Sequence, residues 1–351
     1  MNYSHFILAI ALYKSCALSA LEEVTLQLKW THQFQFAGYY MAQHKGFFRQ
    51  QGLDVKIVPA DQDNPDEQFK VLSGQAQFGV THSGILQQRL LGKPLVALAA
   101  IFQSSPYCWM VRADSDIYVP KDFVDKKISH LGRVEGAELV VMLERAGIDV
   151  SRLPLYAGLE PIKDFVAGRF DALQVYISNE PFKLAQQGVA TRQICPKHFG
   201  LNVYADILFT SEDVLNYRPE TVARFRRASL QGWRYAMSNP DEALAVTQAE
   251  YATSKSIAAL ANEADKLMPF IKAPGIALGA MSQARWLWIA QLYRLDLAHF
   301  HEQKHKFIYT EPDHEETSWS WMLTLAVVVA VICVPMYIHL IFFRRRRFTL
   351  K

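Results

Sequence analysis

The sequence has few of the residues that metal, redox and nucleophilic chemistry require. Only four cysteines occur in 351 residues. No second histidine, cysteine or carboxylate stands at metal-ligand spacing beside His82, so we predict no metal site. No Ser–His–Asp or Cys–His arrangement reaches the strength of a motif. We therefore expect no metal and no cofactor, and a binding function rather than catalysis.

A strong charge bias is also missing from the main part of the chain. The formal net charge of the whole sequence is +3. Residues 21–318, however, contain 31 Lys and Arg against 34 Asp and Glu, because Lys14 and five basic residues after Phe343 lie outside this range. A region with a charge of about −3 does not favour nucleic acid. The length and the hydrophobic half of the composition predict two lobes with a sizeable core.

An apolar segment near the beginning of the sequence is typical of a secretory signal. The apolar run over residues 6–13 is too short to span a bilayer, and small residues follow it. We expect residues 1–20 to be a signal peptide.

A second apolar segment lies near the end of the sequence. Residues 319–343 contain no Asp, Glu, Lys or Arg and are long enough to cross the hydrocarbon core as one helix. Four arginines follow at 344–347. Because such clusters stay on the cytoplasmic side, residues 344–351 are predicted to be a cytoplasmic tail, and the large domain is predicted to be outside. Residues 311–318 form an acidic linker before this helix.

The other segments are organised around residues 28–58. Alternation of apolar and polar side chains over residues 24–30 and 53–57 predicts two strands. The amphipathic run 38–50 predicts a helix between them, and Gly52 stands where a glycine ends a helix. The pattern is a strand–loop–helix–strand unit of an α/β fold.

Three side chains of this unit are candidates for ligand contacts. Trp30 and Gln35 lie in the loop after the first strand, and Tyr39 stands at the start of the helix. In open α/β sheets, ligands bind beyond the carboxyl ends of the strands. For Trp30 and Tyr39 the alternative is a buried aromatic cluster between the helix and the sheet, and the sequence leaves both interpretations open.

Polar residues follow two further predicted strands. His82 and Ser83 come after a strand of small residues, and Tyr176, Asn179 and Glu180 end an apolar strand later in the chain. Because these strand ends are expected at the same crevice, we predict that all five residues contact a ligand. For Ser83 and Glu180 the alternative is capping of the helix that follows.

The segments LKW at 28–30, QFAGYYMAQHKGFF at 35–48 and GLDV at 52–55 resemble the opening of the periplasmic binding proteins for thiamine-pyrimidine precursors. Binding proteins for taurine, sulfonates and nitrate are related to that family. The resemblance covers residues 24–300. Similar openings occur in the sensor domains of some histidine kinases and diguanylate cyclases.

The resemblance implies an α/β fold with two lobes, the type II periplasmic-binding-protein fold, followed here by a single C-terminal transmembrane helix. Residues 21–110 and 205–310 would form the first lobe, and residues 111–204 the second. In pyrimidine-binding members a carboxylate near Glu180 pairs with the aminopyrimidine edge of the ligand, and a carboxylate is well suited to accept two such hydrogen bonds.

A pyrimidine-precursor synthase shares this fold, and the resemblance implies what such an enzyme needs. Its activity requires a histidine and a lysine near the segment that matches residues 80–92, and the lysine carries pyridoxal phosphate. It also requires a later run rich in cysteine. Here Lys93 is the only nearby lysine, and the cysteine run is missing. We therefore expect that this chain is not an enzyme.

Together these observations predict a solute-binding protein of the periplasm, anchored in the inner membrane by one helix. It would capture a small polar heteroaromatic, resembling a thiamine-pyrimidine precursor, for the permease of an ABC importer. The alternative is the receptor half of a sensing system, with a signalling protein as its partner. Nucleic acid is not an expected partner in either case.

Two cysteines lie between the apolar ends of the chain. Cys108 and Cys195 stand near the two segments predicted to cross between the lobes, 104–111 and 203–210, and the periplasm is oxidising. A disulfide between them depends on demanding geometry. The sequence leaves the bridge open.

The predicted topology can be tested with reporter fusions. A fusion after Glu315 is expected to report the periplasm, and a fusion after Lys351 the cytoplasm, because the arginine cluster resists translocation. Alkaline phosphatase and a cytoplasmically active fluorescent protein serve as complementary reporters. Cytoplasmic activity of the Glu315 fusion would contradict the scheme.

Overall fold

Two β-sheets carry the described part of the chain in a computed structural model, which describes residues 20–61, 66–129, 136–150, 160–311, 326–327 and 329–337. The strands are β1 Glu22–Gln27, β2 Leu53–Val58, β3 Phe78–Thr81, β4 Leu95–Phe102, β5 Tyr107–Arg112, β6 Ile128–Ser129, β7 Ala172–Tyr176, β8 Thr191–Ile194 and β9 Ala205–Ser211. All of them lie in the unit formed by residues up to Tyr309.

The helices of this unit connect and cover the sheets. They are α1 Ala37–His44, α2 Phe47–Gln50, α3 Glu67–Leu72, α4 Ile85–Leu90, α5 Ala137–Arg145, α6 Pro161–Val166, α7 Glu180–Gln186, α8 Glu212–Tyr217, α9 Pro219–Ser238, α10 Pro240–Val246, α11 Ile257–Ile271, α12 Gln283–Leu292 and α13 Leu297–Phe307. A short π-helical turn, Thr247–Tyr251, extends α10.

The first sheet has five strands in the order β2-β1-β3-β9-β4. Strands β1, β2 and β3 are parallel, whereas β9 is antiparallel to both β3 and β4. The second sheet has four strands in the order β6-β7-β5-β8, with β5 antiparallel to β7 and β8. We call the part built on the first sheet the first lobe and the part built on the second sheet the second lobe.

The strand–helix–strand unit at the start of the fold is present, with one difference. Strand β2 matches the predicted segment, and Gly52 has φ +71 at the end of the helical region, as expected. The predicted single helix over residues 38–50 is instead α1 and α2, because Gly46 adopts the left-handed conformation with φ +69 between them. A residue with that φ interrupts an α-helix, and glycine adopts it at little cost.

Helix α1 packs closely on α9, and two glycines permit the approach. A Cβ atom on Gly38 would lie 2.0 Å from the Trp233 ring, and one on Gly232 would lie 2.2 Å from the Gly38 carbonyl oxygen. Trp233 itself is 1% exposed. This contact fixes α1, and with it the loop that follows β1, against the core of the first lobe.

Cys108 and Cys195 form a disulfide in the second lobe. The antiparallel pairing of Trp109 with Ile194 places the two cysteines opposite each other at the next position of the β5–β8 pair. The chain passes from the first sheet to the second between β4 and β5, at the beginning of the segment 104–111 that was predicted to cross, and β5 itself belongs to the second sheet. The bridge that the sequence left open is present, and both cysteines are buried among apolar side chains.

Residues Thr310–Lys351 form a second unit, in which residues 326–327 and 329–337 are described and helical. Among the described residues, no helix combines the length and the apolar character that a membrane crossing needs. The predicted span 319–343 lies mostly outside those residues, and the predicted signal peptide 1–20 lies outside them except for its last residue.

Loss of the disulfide is expected to destabilise the protein. The bridge joins residues 87 positions apart, and closing a long loop in the unfolded chain typically stabilises the native state by about 2–4 kcal/mol. We expect the free energy of unfolding of the variant Cys108→Ala/Cys195→Ala to be lower by that amount. The variant should therefore unfold at a lower urea concentration than the wild type. Cys333→Ala, which removes a free and exposed cysteine, is the control. Equal stability of the double variant and the wild type would contradict this role.

Candidate ligand-binding site

A cleft opens where the chain leaves β1 in the first lobe and β7 in the second. Its empty volume is about 450 Å³, solvent at its mouth included. The lining residues are Lys29, Trp30, Gln33, Gln35, Tyr107, Gln174, Val175, Tyr176, Asn179 and Glu180. Because side chains beyond two strand ends converge here, the cleft is the candidate site.

The floor of the cleft is built on Asp206, a buried carboxylate near the start of β9. Lys29 forms an ion pair with it, and the two side chains are 6% and 2% exposed. The Gln35 amide donates to both carboxylate oxygens, at 2.9 and 2.8 Å. The Tyr176 hydroxyl donates to it from the second lobe at 3.3 Å. Asp206 thus joins the loop after β1 to the end of β7.

The Lys29 ammonium group also faces two aromatic rings. Its Nζ lies 5.8 Å from the centroid of the Tyr107 ring and 5.6 Å from that of the Tyr176 ring. The rings meet edge to face, with their centroids 5.2 Å apart. Cation–π contacts at these distances are favourable, so the aromatic pair and Asp206 together compensate the buried charge.

A chain of polar side chains forms one wall. The side-chain oxygen of Gln33, Oε1, accepts hydrogen bonds from Lys255 Nζ at 2.8 Å and from Asn179 Nδ2 at 3.4 Å. The Gln33 amide donates to Gln35. Lys255 is itself paired with the buried carboxylate of Glu263. Asn179 belongs to the second lobe, so its bond to Gln33 crosses the cleft.

Glu180 is the first residue of α7 and lines the cleft. The Oε2 atom accepts the backbone N–H of Tyr176 at 3.0 Å. Burial raises the pKa of the Glu180 carboxyl, although backbone N–H groups and the charges of Lys183 and Lys255 act in the opposite direction. No side chain among the described residues donates to this carboxylate, so it retains capacity to accept hydrogen bonds from a ligand.

Five of the predicted site residues line the cleft: Trp30, Gln35, Tyr176, Asn179 and Glu180. Trp30 is 43% exposed, so its indole ring is available to a ligand.

Tyr39 does not line the cleft. It is 1% exposed and packs edge-on against Trp233, with ring centroids 5.6 Å apart. The prediction of Tyr39 as a stacking face is corrected, because the α1–α9 contact buries it in the core.

His82 and Ser83 lie outside the cleft lining. The Ser83 and Tyr293 hydroxyl oxygens are 2.6 Å apart, and Tyr293 donates to Glu138 of the second lobe at 3.3 Å. The Gly84 N–H donates to His82 Nδ1 at 3.2 Å. Ser83 does not cap α4, which has no side-chain cap. Ser83 therefore belongs to a separate polar contact between the lobes, whereas the hydrogen bond of His82 stays within the turn before α4.

Lys29 and Asp206 were not among the predicted site residues, although the sequence carries a signal for each. Lys29 follows an alternating strand, and Asp206 is the one charged residue in the apolar segment 203–210. A charge in a buried strand requires a partner of opposite sign. That two such residues pair across a separation of more than 170 positions is visible only in the fold.

Among the described residues, no group of three His, Cys, Asp or Glu side chains could hold a metal ion.

A family model described as NMT1/THI5 like matches residues 33–243 of this chain, more than half of its length. The matched range includes the cleft residues from Gln33 to Glu180. The chain belongs to the NMT1/THI5-like family. The predicted resemblance to binding proteins for thiamine-pyrimidine precursors is therefore confirmed at the level of the family.

Relatives in and around this family include both binding proteins and enzymes. The formylaminopyrimidine-binding protein of Halalkalibacterium halodurans is 30% identical over 252 residues, which are 68% of this chain and 76% of the relative. The riboflavin-binding protein RibY of Chloroflexus aurantiacus is 26% identical and covers 65% of this chain and 66% of its own length. The 4-amino-5-hydroxymethyl-2-methylpyrimidine phosphate synthase of Legionella pneumophila is 23% identical, with 65% and 73% covered.

The fold is shared with solved binding proteins. The periplasmic aliphatic sulphonate binding protein SsuA of Escherichia coli superimposes with a TM-score of 0.63 at 14% identity, over 82% of this chain and 92% of SsuA. The predicted α/β fold of periplasmic binding proteins is therefore confirmed. At this identity the likeness concerns the fold alone.

The surroundings of His82 generate a prediction for acid stability. Burial, together with the positive charge of Lys29, lowers the pKa of His82 to about 3. Because the pKa of an unfolded histidine is about 6.5, the neutral form stabilises the fold above that value, and this stability is lost as the pH falls. At pH 5 the loss is about 2 kcal/mol.

We expect His82→Asn to reduce the destabilisation at acid pH, because the asparagine side chain does not bind a proton in this pH range. Its oxygen can still accept the hydrogen bond from the Gly84 N–H. Urea unfolding of the variant and of the wild type, at about pH 7.5 and about pH 5, measures the difference. His305→Asn, at an exposed position in the last turn of α13, is the control. An identical pH dependence in His82→Asn and the wild type would contradict the assignment.

Proposed function

We propose that this protein is an extracytoplasmic solute-binding protein that captures a small polar heteroaromatic ligand, resembling an aminopyrimidine, for an ABC importer. The observation that supports this most directly is the pairing of two groups in one cleft. The half-exposed Trp30 ring lies on the side of the first lobe, and the Glu180 carboxylate lies on the side of the second. Family membership supports the same ligand class.

Each of the two groups suits one property of such a ligand. An indole face offers a flat apolar surface on which a heteroaromatic ring can stack. A carboxylate accepts hydrogen bonds from an exocyclic amino group and from a neighbouring ring N–H, and such charge-assisted bonds are strong. Gln33 and Asn179 add amide groups that can pair with the remaining polar atoms of the ring.

The lobes meet at the mouth of the cleft, which supports capture by closure. Asn179 of the second lobe donates to Gln33, and Asn262 of α11 donates to the Ser178 carbonyl oxygen at 2.7 Å. Both bonds involve the short segment after β7. Opening of the lobes would break them and expose Trp30 and Glu180 to solvent, so that a ligand could enter and leave.

The partner and the membrane anchor are parts of the same proposal. A helix over residues 319–343 would hold the protein at the inner membrane, beside a permease. The receptor half of a sensing system is the second candidate, because the segment 35–40 resembles the openings of sensor domains. The two candidates share the cleft and differ in the protein they contact, so crosslinking to a permease or to a signalling protein separates them.

We propose no catalytic role. The lysine nearest to the segment that matches the synthase site is Lys93, which is exposed after α4 and does not line the cleft. Among the residues that the structure describes, Lys29 is the only lysine that lines the cleft, and its ammonium group is held by Asp206. An ion-paired ammonium group is a poor nucleophile for linkage to a cofactor.

Removal of the Glu180 charge is expected to weaken ligand binding. Loss of a charged hydrogen-bond partner from a desolvated site costs about 2–5 kcal/mol, and each 1.4 kcal/mol is about tenfold in affinity. Glu180→Gln should therefore raise the Kd for 4-amino-5-hydroxymethyl-2-methylpyrimidine by roughly one to three orders of magnitude. Calorimetric titration of the full chain in detergent solution measures this. Unchanged affinity would remove the carboxylate from the site.

Two controls make this experiment specific. Glu220→Gln changes an exposed glutamate in the first turn of α9 and should leave the affinity unchanged. Trp30→Ala should weaken binding through the loss of stacking, whereas Tyr217→Ala, which removes an aromatic ring that is 84% exposed, should not. If no pyrimidine, flavin or related ring binds the wild type, the proposed ligand class is wrong.

A further inference from the structure

We infer that Asp206 determines ligand specificity by neutralising Lys29, so that the cleft accepts neutral or protonated amino-heteroaromatic ligands and rejects anions such as sulfonates. This inference rests on the proposed function, because it takes the cleft as the binding site. It goes further in naming the residue that sets the sign of charge the site accepts.

Lys29 is the only cationic side chain among the described residues that line the cleft. An anionic ligand is normally bound by charged donors or by several aligned N–H groups. In this cleft, Lys29 is therefore the group on which recognition of a sulfonate or carboxylate would depend. The other cation nearby, Lys255, does not line the cleft and is paired with Glu263.

The geometry around Lys29 leaves it little capacity for an anion. Asp206 pairs with the ammonium group, while the Tyr107 and Tyr176 rings face it from other directions. Asp206 is not free to move away, since Gln35 donates to both of its oxygens and Tyr176 to one of them. An anion at the floor would have to displace a carboxylate that Gln35 and Tyr176 hold in place.

The charges that remain favour a ligand with hydrogen-bond donors. With Lys29 and Asp206 cancelling each other, Glu180 is the carboxyl group that remains in the lining, and any charge that it carries is negative. A negative site of low dielectric attracts a protonated ring or a ring edge rich in N–H groups, and it repels anions. The fold itself sets no such limit, so the discrimination must come from these side chains.

The test is a change of specificity in the variant Asp206→Asn. Asp206 has φ +46, and asparagine tolerates this conformation better than most residues. The variant leaves the Lys29 ammonium group without its counter-ion on the floor of the cleft. We expect affinity for ethanesulfonate to rise about tenfold or more, measured by calorimetry with the full chain in detergent solution.

A double variant is the matched control. Lys29→Met/Asp206→Asn removes both charges, so ethanesulfonate should bind it no better than it binds the wild type. The single variant should gain affinity for ethanesulfonate, and the double variant should not. Such a difference cannot come from a general loosening of the structure. Wild-type binding of ethanesulfonate, or no gain in Asp206→Asn, would overturn the inference.

A second route covers the case in which Asp206→Asn does not fold. Lys29→Met leaves Asp206 with its bonds to Gln35 and Tyr176 and makes the cleft more negative. We expect it to raise the affinity for a cationic amino-heteroaromatic relative to a neutral one by about threefold or more, and an unchanged ratio would overturn the inference. Failure of the proposed function is distinct, because it appears as absence of pyrimidine binding in the wild type.

Discussion

The buried ion pair between Lys29 and Asp206 is the contact on which the shape of the cleft depends. Two charges removed from water are stable only when each has its partner and further hydrogen bonds. Asp206 obtains these from Gln35 and Tyr176, and so the loop after β1 and the end of β7 must both come to the start of β9. Removing one member of such a pair costs about 3–5 kcal/mol.

The arrangement around this pair explains how two lobes present different chemistry to one ligand. The first lobe supplies the Trp30 ring and the amide groups of Gln33 and Gln35, on a loop anchored by the α1–α9 contact. The second lobe supplies Glu180 from the first turn of α7. Behind it, the disulfide between Cys108 and Cys195 joins β5 to the end of β8. Each wall is thus tied to the core of its own lobe by contacts that do not cross the cleft.

Much of the fold and part of the site could be predicted from local patterns. Alternating side chains and Gly52 identified the first strand–helix–strand unit, and the polar residues after two predicted strands gave Trp30, Gln35, Tyr176, Asn179 and Glu180. The misplaced residues depend on contacts distant in sequence. Tyr39 is buried because α1 packs on Trp233, nearly two hundred residues later. Asp206 reaches the cleft only because β9 returns to the first sheet beside β3.

The most direct measurement is a crystal structure of the protein with 4-amino-5-hydroxymethyl-2-methylpyrimidine bound. We expect the ring to lie parallel to the Trp30 indole, with its amino group about 3 Å from the Glu180 carboxylate. The Lys29–Asp206 pair should remain intact beneath it. A ring bound outside the cleft, or one bound within it while Glu180 contacts only the Tyr176 backbone, would contradict the proposed site.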